Sequence, residues 1–121
     1  MELKDKSPDG ILHKNRATAL RWMFLKEKEK EGIISELKSS TKYILIPTIR
    51  DKDGKLIEKE YSYIADITYV KDNQRVAEIV ETVGTPPSYC YQTEFILRRK
   101  LLLQIHNVSL VLVYSNAMWQ L

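Results

Sequence analysis

Three consecutive basic residues are the first candidates for chemistry in this chain. Arg98, Arg99 and Lys100 lie in a segment, residues 91–106, whose pattern predicts a helix. Neighbouring helix positions point about 100° apart, so the three cations cover a wide arc. Such an arc can bind the phosphates of a nucleic acid, or it can form an ordinary solvated helix face. The sequence leaves both interpretations open.

Histidine and cysteine, two residue types that bind metals or act as nucleophiles, are few in this chain. His13 and His106 are far apart and match no metal-ligand spacing, so each is interpreted as a surface or helix-end residue. Cys90 is the single cysteine, and neither a CxxC pair nor a nearby histidine supports a reactive thiol. Tyr89 and Tyr91 could stack on bases, but packing within a loop is the preferred interpretation.

The composition limits the class of protein. A chain of 121 residues fits one domain, and 44% hydrophobic with 29% charged residues is typical of a soluble globular protein. The net charge of +3 is compatible with binding a polyanion but is too small to indicate a nucleic-acid coat protein. The sequence has neither an apolar stretch of membrane-spanning length nor a signal peptide, and a cytoplasmic location is therefore expected. The single cysteine agrees with this expectation, because it cannot form an internal disulfide.

The chain divides into an arm, a domain and a tail. Residues 1–13 are polar and contain Pro8 and Gly10, which predicts a flexible N-terminal arm. Residues 14–113 form the single domain. Residues 114–121 are apolar for a terminus and are expected either to dock onto the domain or to contact a partner or a second copy.

The predicted elements define the fold class. The first helix covers residues 14–31, with Ala17, Leu20 and Phe24 sharing a face, and a turn separates it from the strands. Three strands joined by tight turns must form an antiparallel meander; they are predicted at residues 42–49, 59–70 and 75–83. After the second helix, where Phe95, Leu102 and Ile105 share a face, the apolar segment 108–113 predicts a strand buried on both faces and parallel to a meander strand. The prediction is an α/β fold in the order helix, three-stranded antiparallel meander, helix, strand.

Two segments resemble the PD-(D/E)xK nucleases, which have the restriction-endonuclease-like fold. The segment YIADITY, residues 63–69, is similar to the family's second-strand motif, and residues 93–103 are similar to the basic helix after the third strand. Together with residues 31–37 they resemble a family of small bacteriophage proteins of uncharacterised function that has been assigned this fold. The resemblance covers residues 14–113 and implies a restriction-endonuclease-like core.

The resemblance also implies a chemistry, metal-assisted phosphodiester hydrolysis. In active relatives two carboxylates hold Mg²⁺, and a lysine two positions after the second one orients water. Asp66 stands at the first carboxylate, but the second carboxylate and the lysine align with Ile79 and Glu81, and the helix glutamate aligns with Thr18. Isoleucine cannot ligate a hard cation, and Glu81 adds negative charge near the phosphate. The site is therefore expected to be degenerate.

A rearranged site is the alternative interpretation. Asp66 and Glu81 could still hold Mg²⁺ or Mn²⁺, with Glu78 taking part if a bulge moved it across and with Arg98, Arg99 or Lys100 replacing the lysine. An ordinary hydrogen-bonded carboxylate explains Asp66 equally well. The leading hypothesis is a catalytically inactive accessory protein of phage type, without a cofactor, that binds nucleic acid or a host protein.

Two further functions stay open. One is a Mg²⁺-dependent DNA endonuclease or junction resolvase with the rearranged site. The other is a protein-directed inhibitor of a host defence or replication factor, with residues 114–121 as its docking candidate. A homodimer is compatible with each hypothesis, whereas a membrane partner is not expected.

Overall fold

Two helices and a mainly antiparallel sheet make up the part of the chain that the structure, a computed structural model, describes: residues 5–81, 93–115 and 118–121. The predicted mixed α/β class is confirmed. The elements in chain order are β1 (Asp5–Lys6), β2 (Leu12–His13), α1 (Arg16–Lys30), β3 (Ser35–Ile46), β4 (Ile49–Arg50), β5 (Leu56–Glu58), β6 (Tyr61–Lys71), β7 (Gln74–Glu81), α2 (Thr93–His106) and β8 (Val108–Tyr114).

The central sheet has four strands in the order β3-β6-β7-β8. The pairs β3/β6 and β6/β7 are antiparallel. A tight turn joins β6 to β7, and both of its central residues, Asp72 and Asn73, have left-handed backbone angles, as such hairpins require. Strand β8 follows a helical crossover and pairs parallel to β7, so the predicted parallel pairing is confirmed. Two short hairpins, β1/β2 and β4/β5, lie outside this sheet.

Strand β3 begins earlier than predicted. The turn expected before residue 42 is strand instead, because Lys38 and Ser39 pair with Thr68 and Ile67 of β6. The segment from residue 35 to 41 is polar, so its strand conformation comes from pairing with β6 and not from its own propensity. Left-handed residues at Glu36 and Ser40 interrupt its regularity.

Two clusters of buried side chains lie on the two sides of the sheet. The cluster beside α2 contains Leu45, Ala65, Ala77, Ile79, Phe95, Leu102, Val108 and Leu110. The cluster beside α1 contains Trp22, Leu25, Ile34, Ile67 and Tyr69. Successive residues of β7 serve alternate sides, so its run from Ala77 to Val80 is buried throughout.

The buried helix faces differ in part from the predicted ones. In α1 five residues are buried, Ala19 and four that follow the helical spacing i, i+3, i+4, i+7, namely Thr18, Arg21, Trp22 and Leu25. The predicted residues Ala17, Leu20 and Phe24 are only half-buried. The prediction counted only apolar side chains and therefore missed a face that contains an arginine and a threonine. In α2, Phe95 and Leu102 are buried as predicted, but Ile105 is exposed.

The N-terminal segment packs against the domain where the structure describes it. Residues 5–13, predicted as part of a flexible arm, form the hairpin β1/β2, which pairs Asp5 with His13. His13, predicted at the surface, is 4% exposed, accepts or donates a hydrogen bond of 3.1 Å at Ser7 Oγ, and lies 5.4 Å from the Trp22 ring. Contact with Trp22 therefore holds the hairpin on α1. None of the described helices is both long enough and apolar enough to cross a membrane.

Candidate functional site

The sheet opens at Asp66. Pairing between β6 and β7 runs from the turn to the pair Ile67 and Glu78, where the described pairing stops, while β7 stays paired with β8 as far as Glu81. On the other side of β6, the pairs with β3 flank Asp66, and Ser40 lies between them with a left-handed backbone (φ 51°). Asp66 therefore lies at a fork, where β6 separates from its neighbour.

A polar pocket of about 270 Å³ adjoins this fork. Its lining residues come from the β1/β2 hairpin, the start of α1 and the two strands: Leu12, His13, Lys14, Thr18, Ser40 and Asp66. Lys14 Nζ lies 3.2 Å from Asp66 Oδ2, and the two side chains are 34% and 25% exposed. The cation that neutralises Asp66 is thus a residue of this chain.

The start of α1 positions Thr18 in the same pocket. Asn15 is the N-cap, and its Oδ1 accepts hydrogen bonds from the Thr18 backbone N–H at 2.9 Å and from the Thr18 hydroxyl at 2.8 Å. The Thr18 hydroxyl is therefore already engaged. Thr18 and Asp66, which the resemblance aligns separately with a helix glutamate and a strand carboxylate, line the same pocket.

Glu78 lies in a buried ion pair. Arg21 Nε donates to Glu78 Oε1 and Arg21 Nη2 to Glu78 Oε2, each at 2.7 Å, and the two side chains are 2% and 1% exposed. The Tyr69 hydroxyl donates to Glu78 Oε2 at 2.5 Å. Arg21 Nη1 donates to the carbonyl oxygens of Met118 at 2.5 Å and Gln120 at 2.6 Å. The network therefore connects α1, β6, β7 and the C-terminal segment.

The protonation states follow from these contacts. Burial alone would lower the pKa of Arg21, but the hydrogen bonds and charge of Glu78 outweigh it, and the pKa is raised. Burial, together with the adjacent Glu78 carboxylate, raises the pKa of Tyr69 well above its usual range. Arg21 is consequently cationic and Tyr69 neutral at physiological pH.

Glu81 and Glu78, the other predicted metal-site residues, do not line the polar pocket with Asp66. Ile79 is 3% exposed and belongs to the cluster beside α2. Alternation along β7 places Glu81 on the same side as Ile79, and Glu78 on the other. Within residues 5–81, 93–115 and 118–121, groups of three or more His, Cys, Asp or Glu side chains that could hold a metal ion are absent.

The predicted phosphate-binding residues also separate. Arg98 is only 12% exposed, forms an ion pair of 2.8 Å with Glu94, and stacks 4.5 Å from the centre of the Tyr63 ring. Arg99 and Lys100 are exposed. His106 is exposed at the end of α2, as predicted, and its Nε2 lies 2.8 Å from the Ile44 carbonyl oxygen. Cys90, Tyr89 and Tyr91 lie outside the described residues.

A second cavity, of about 480 Å³ and mainly apolar, crosses the outer side of α1. It is lined by residues of α1, of the β1/β2 hairpin loop and of the C-terminal segment: Ser7, Pro8, Asp9, Leu20, Trp22, Met23, Phe24, Lys26, Glu27, Lys28 and Trp119. We call this cavity the α1 groove. The Phe24 and Trp119 rings meet edge to face at 5.8 Å. The C-terminal tail thus docks onto the domain, one of its two predicted arrangements.

Polar contacts fix the hairpin loop that lines the α1 groove. The Trp22 indole N–H donates to Asp9 Oδ2 at 2.8 Å, and the Ser7 hydroxyl donates to Asp9 Oδ1. These two hydrogen bonds, that from Ser7 first, lower the pKa of Asp9 to about 2. Asp9 is therefore ionised at neutral pH and holds the hairpin loop against α1.

Sequence reasoning missed Arg21, the central donor of the buried network. A signal for it existed, because Glu78 is the one charged residue in the apolar run from Val76 to Val80, and a buried carboxylate needs a partner. The position of that partner, 57 residues earlier in the chain, could not be read from the pattern.

No family model, curated protein or solved structure matches this chain.

Proposed function

We propose that this chain is a non-cleaving relative of the restriction-endonuclease-like nucleases, of the small phage-protein type, that acts by binding another protein. The order of α1, the antiparallel strands β3, β6 and β7, α2 and the parallel strand β8 supports the fold assignment. The joint lining of one pocket by Thr18 and Asp66 supports the correspondence of sites.

One observation carries the non-cleaving assignment: basic side chains of this chain form ion pairs with the acidic side chains Asp66 and Glu78. Asp66 is paired with Lys14 at 3.2 Å, and Glu78 accepts hydrogen bonds from Nε and Nη2 of Arg21, each at 2.7 Å. A divalent ion would have to displace these cations. Separating the second pair would leave a buried arginine uncompensated, at a cost of about 3–5 kcal/mol.

The remaining donor set is too small for hydrolysis. Mg²⁺ requires near-octahedral oxygen coordination, usually with one or two carboxylates and several waters. Of the aligned positions only Asp66 offers a carboxylate to the pocket, since Ile79 packs in the core and the Thr18 hydroxyl is bound to Asn15. The lysine of the pocket, Lys14, comes from the segment before α1 and is paired with Asp66, and Glu81 stands at the position where active relatives have the lysine that orients water.

The α1 groove is the proposed contact for the protein partner. Its volume of about 480 Å³ can accept several apolar side chains. Its charged residues are two lysines and two carboxylates, so their charges balance, which fits apolar protein side chains better than a polyanion. Trp22, Phe24 and Trp119 supply the aromatic surface that is enriched at protein interfaces.

A cleavage assay tests the first half of the proposal. Branched, single-stranded and duplex DNA are incubated with the wild-type protein and with Asp66→Ala in Mg²⁺ and in Mn²⁺. The expected result is equal, background-level cleavage by both proteins. Metal-dependent cleavage that Asp66→Ala abolishes would show an enzyme with a rearranged site and would overturn the proposal.

A pair of matched substitutions tests the second half. Met23→Glu places a charge in the α1 groove, where Met23 is 40% exposed, and Leu103→Glu places the same charge on α2, where Leu103 is 53% exposed. In capture experiments quantified by mass spectrometry, a true partner is enriched by wild type and Leu103→Glu and lost with Met23→Glu. Proteins retained equally by all three would argue against the α1 groove as the contact.

Nucleic acid is the second candidate partner, because Arg99 and Lys100 remain exposed on α2. Binding through them would weaken steeply with salt, since phosphate contacts release counterions. Exchanging both residues for alanine should then reduce DNA affinity and the slope of its salt dependence. DNA binding that this double variant leaves unchanged would exclude α2 as the contact.

A further inference from the structure

The two edges of the four-stranded sheet are built differently. Strand β3 carries Lys38 and Lys42, and left-handed residues at Glu36 and Ser40 disturb its backbone. Such charges and irregularities are the usual devices that prevent one edge strand from pairing with another. Strand β8, with the sequence VSLVLVY, has neither a charged residue nor a proline, and positive backbone φ angles are absent from it. Strand β8 therefore carries none of the devices found on β3.

The burial of β8 also falls short of what its sequence predicts. The strand was expected to be covered on both faces, yet only Val108 and Leu110 are buried. Val111 is 38% exposed, and Leu112 and Val113 are half-buried. Among the described strands β7 alone pairs with β8, and the other edge of β8 meets none of them. An apolar edge strand with this exposure is suited to pairing with a further strand.

We propose that β8 pairs with β8 of a second copy of this chain, antiparallel and with the two-fold axis at Val111. The two four-stranded sheets then form one continuous sheet of eight strands. With the axis at Val111, Leu110 lies opposite Leu112 of the partner subunit, and Ser109 lies opposite Val113 of the partner subunit, so the pairs next to the axis are apolar. The contact is isologous, because each pair occurs twice, once on either side of the axis.

The two-fold position of Val111 makes the register testable with charges. Because Val111 faces Val111 of the partner subunit, a charged substitution there places two like charges directly opposite each other, which destabilises antiparallel pairing. A mixture of lysine and glutamate variants places opposite charges at the same point. Dimerisation and the proposed partner binding are separate properties, since β8 does not line the α1 groove.

Analytical ultracentrifugation of four proteins tests the pairing. Wild type and Ile44→Lys should sediment with twice the 14.2 kDa chain mass. Ile44 is the matched control because it is a 44% exposed apolar residue on the opposite edge strand. Val111→Lys and Val111→Glu should each weaken dimerisation at least about tenfold, and their equimolar mixture should recover it. Circular dichroism verifies that each variant is folded.

Three results would overturn the proposal. The first is a wild-type protein that remains monomeric up to several hundred micromolar. The second is dissociation by Ile44→Lys with Val111→Lys still dimeric, which would place the contact at the β3 edge. The third is a mixture of folded lysine and glutamate variants that stays monomeric, which would contradict the two-fold axis at Val111.

Discussion

The two sides of the sheet are packed by different kinds of interaction. Beside α2, the buried cluster of apolar side chains includes Phe95 and Leu102, and its member Ala77 pairs with the buried, uncharged Thr68. Beside α1, the apolar cluster adjoins a buried ion pair, Arg21 with Glu78. Apolar burial supplies stability without direction, whereas the fork of an arginine fixes the positions of its partners. The α2 side therefore stabilises the sheet by apolar burial. On the α1 side, Arg21 fixes the C-terminal segment through the carbonyl oxygens of Met118 and Gln120.

The largest effect is expected from breaking the ion pair on one side only. Glu78→Leu leaves the Arg21 guanidinium buried without its counter-charge, and we expect a loss of about 3–5 kcal/mol in the free energy of unfolding. Urea denaturation followed by circular dichroism measures it. The control is the double variant Arg21→Met with Glu78→Leu, which removes both charges and should be more stable than Glu78→Leu. A double variant that loses still more stability would show that the ion pair is not the source of the effect.

A cavity on the other side should behave as a simple packing loss. Leu102 lies fully buried on the inner face of α2, and Leu102→Ala removes apolar contacts without leaving a charge unpaired. We expect a loss of about 2–5 kcal/mol, again by urea denaturation. Combination with Glu78→Leu, on the opposite side of the sheet, should give the sum of the two losses. Strong non-additivity would mean that the two sides are not energetically independent.

A smaller loss is expected at the start of α1. Asn15→Ala removes the N-cap oxygen that accepts from Thr18, and typical cap losses are about 1 kcal/mol. Asn15→Asp keeps the acceptor and serves as the control. If alanine and aspartate lowered the midpoint of thermal unfolding equally, the cap would not be what positions Thr18 in the polar pocket.

The smallest effect, a pH dependence, should also belong to the α1 side. Burial lowers the pKa of His13 below 6.5, although Asp9, Asp66 and Asp5 oppose this shift. The unfolded chain then binds a proton more readily than the folded one, so stability is complete above pH 6.5 and declines as the pH falls through 6.5 towards the lower folded pKa. The free energy of unfolding, measured between pH 7.5 and 5, should show this slope in wild type. The control His106→Gln, which replaces an exposed histidine, should show it too. A slope unchanged in His13→Gln would assign it to other groups.

The strands with apolar or β-branched patterns could be predicted from sequence, and those set by distant pairing could not. Tyr61–Lys71 and Gln74–Glu81 correspond to two predicted strands, because alternation and a tight turn are local signals. The first part of β3, from Ser35, has no such signal, since its partner in β6 lies about thirty residues away. The N-terminal hairpin escaped prediction for a related reason, as its short strands are stabilised through contact with Trp22.

The candidate site was predictable only as single positions. Asp66 could be selected from its motif, but the fork beside it depends on where the pairing of β6 with β7 stops. Neither Lys14 nor Arg21 could be assigned to a carboxylate, because an ion pair across 52 or 57 residues leaves no spacing pattern. The degenerate metal site stays a prediction, and the cations paired with Asp66 and Glu78 could not be predicted from the sequence.

Titration with Mn²⁺, followed by the electron paramagnetic resonance signal of the free ion, tests the central claim most directly. Wild type and Asp66→Asn are compared, since asparagine preserves the shape of the side chain and removes its charge. The Lys14 pair and the core position of Ile79 predict the same weak, non-stoichiometric binding by both proteins. One equivalent of tightly bound Mn²⁺ in wild type, absent in Asp66→Asn, would contradict the account.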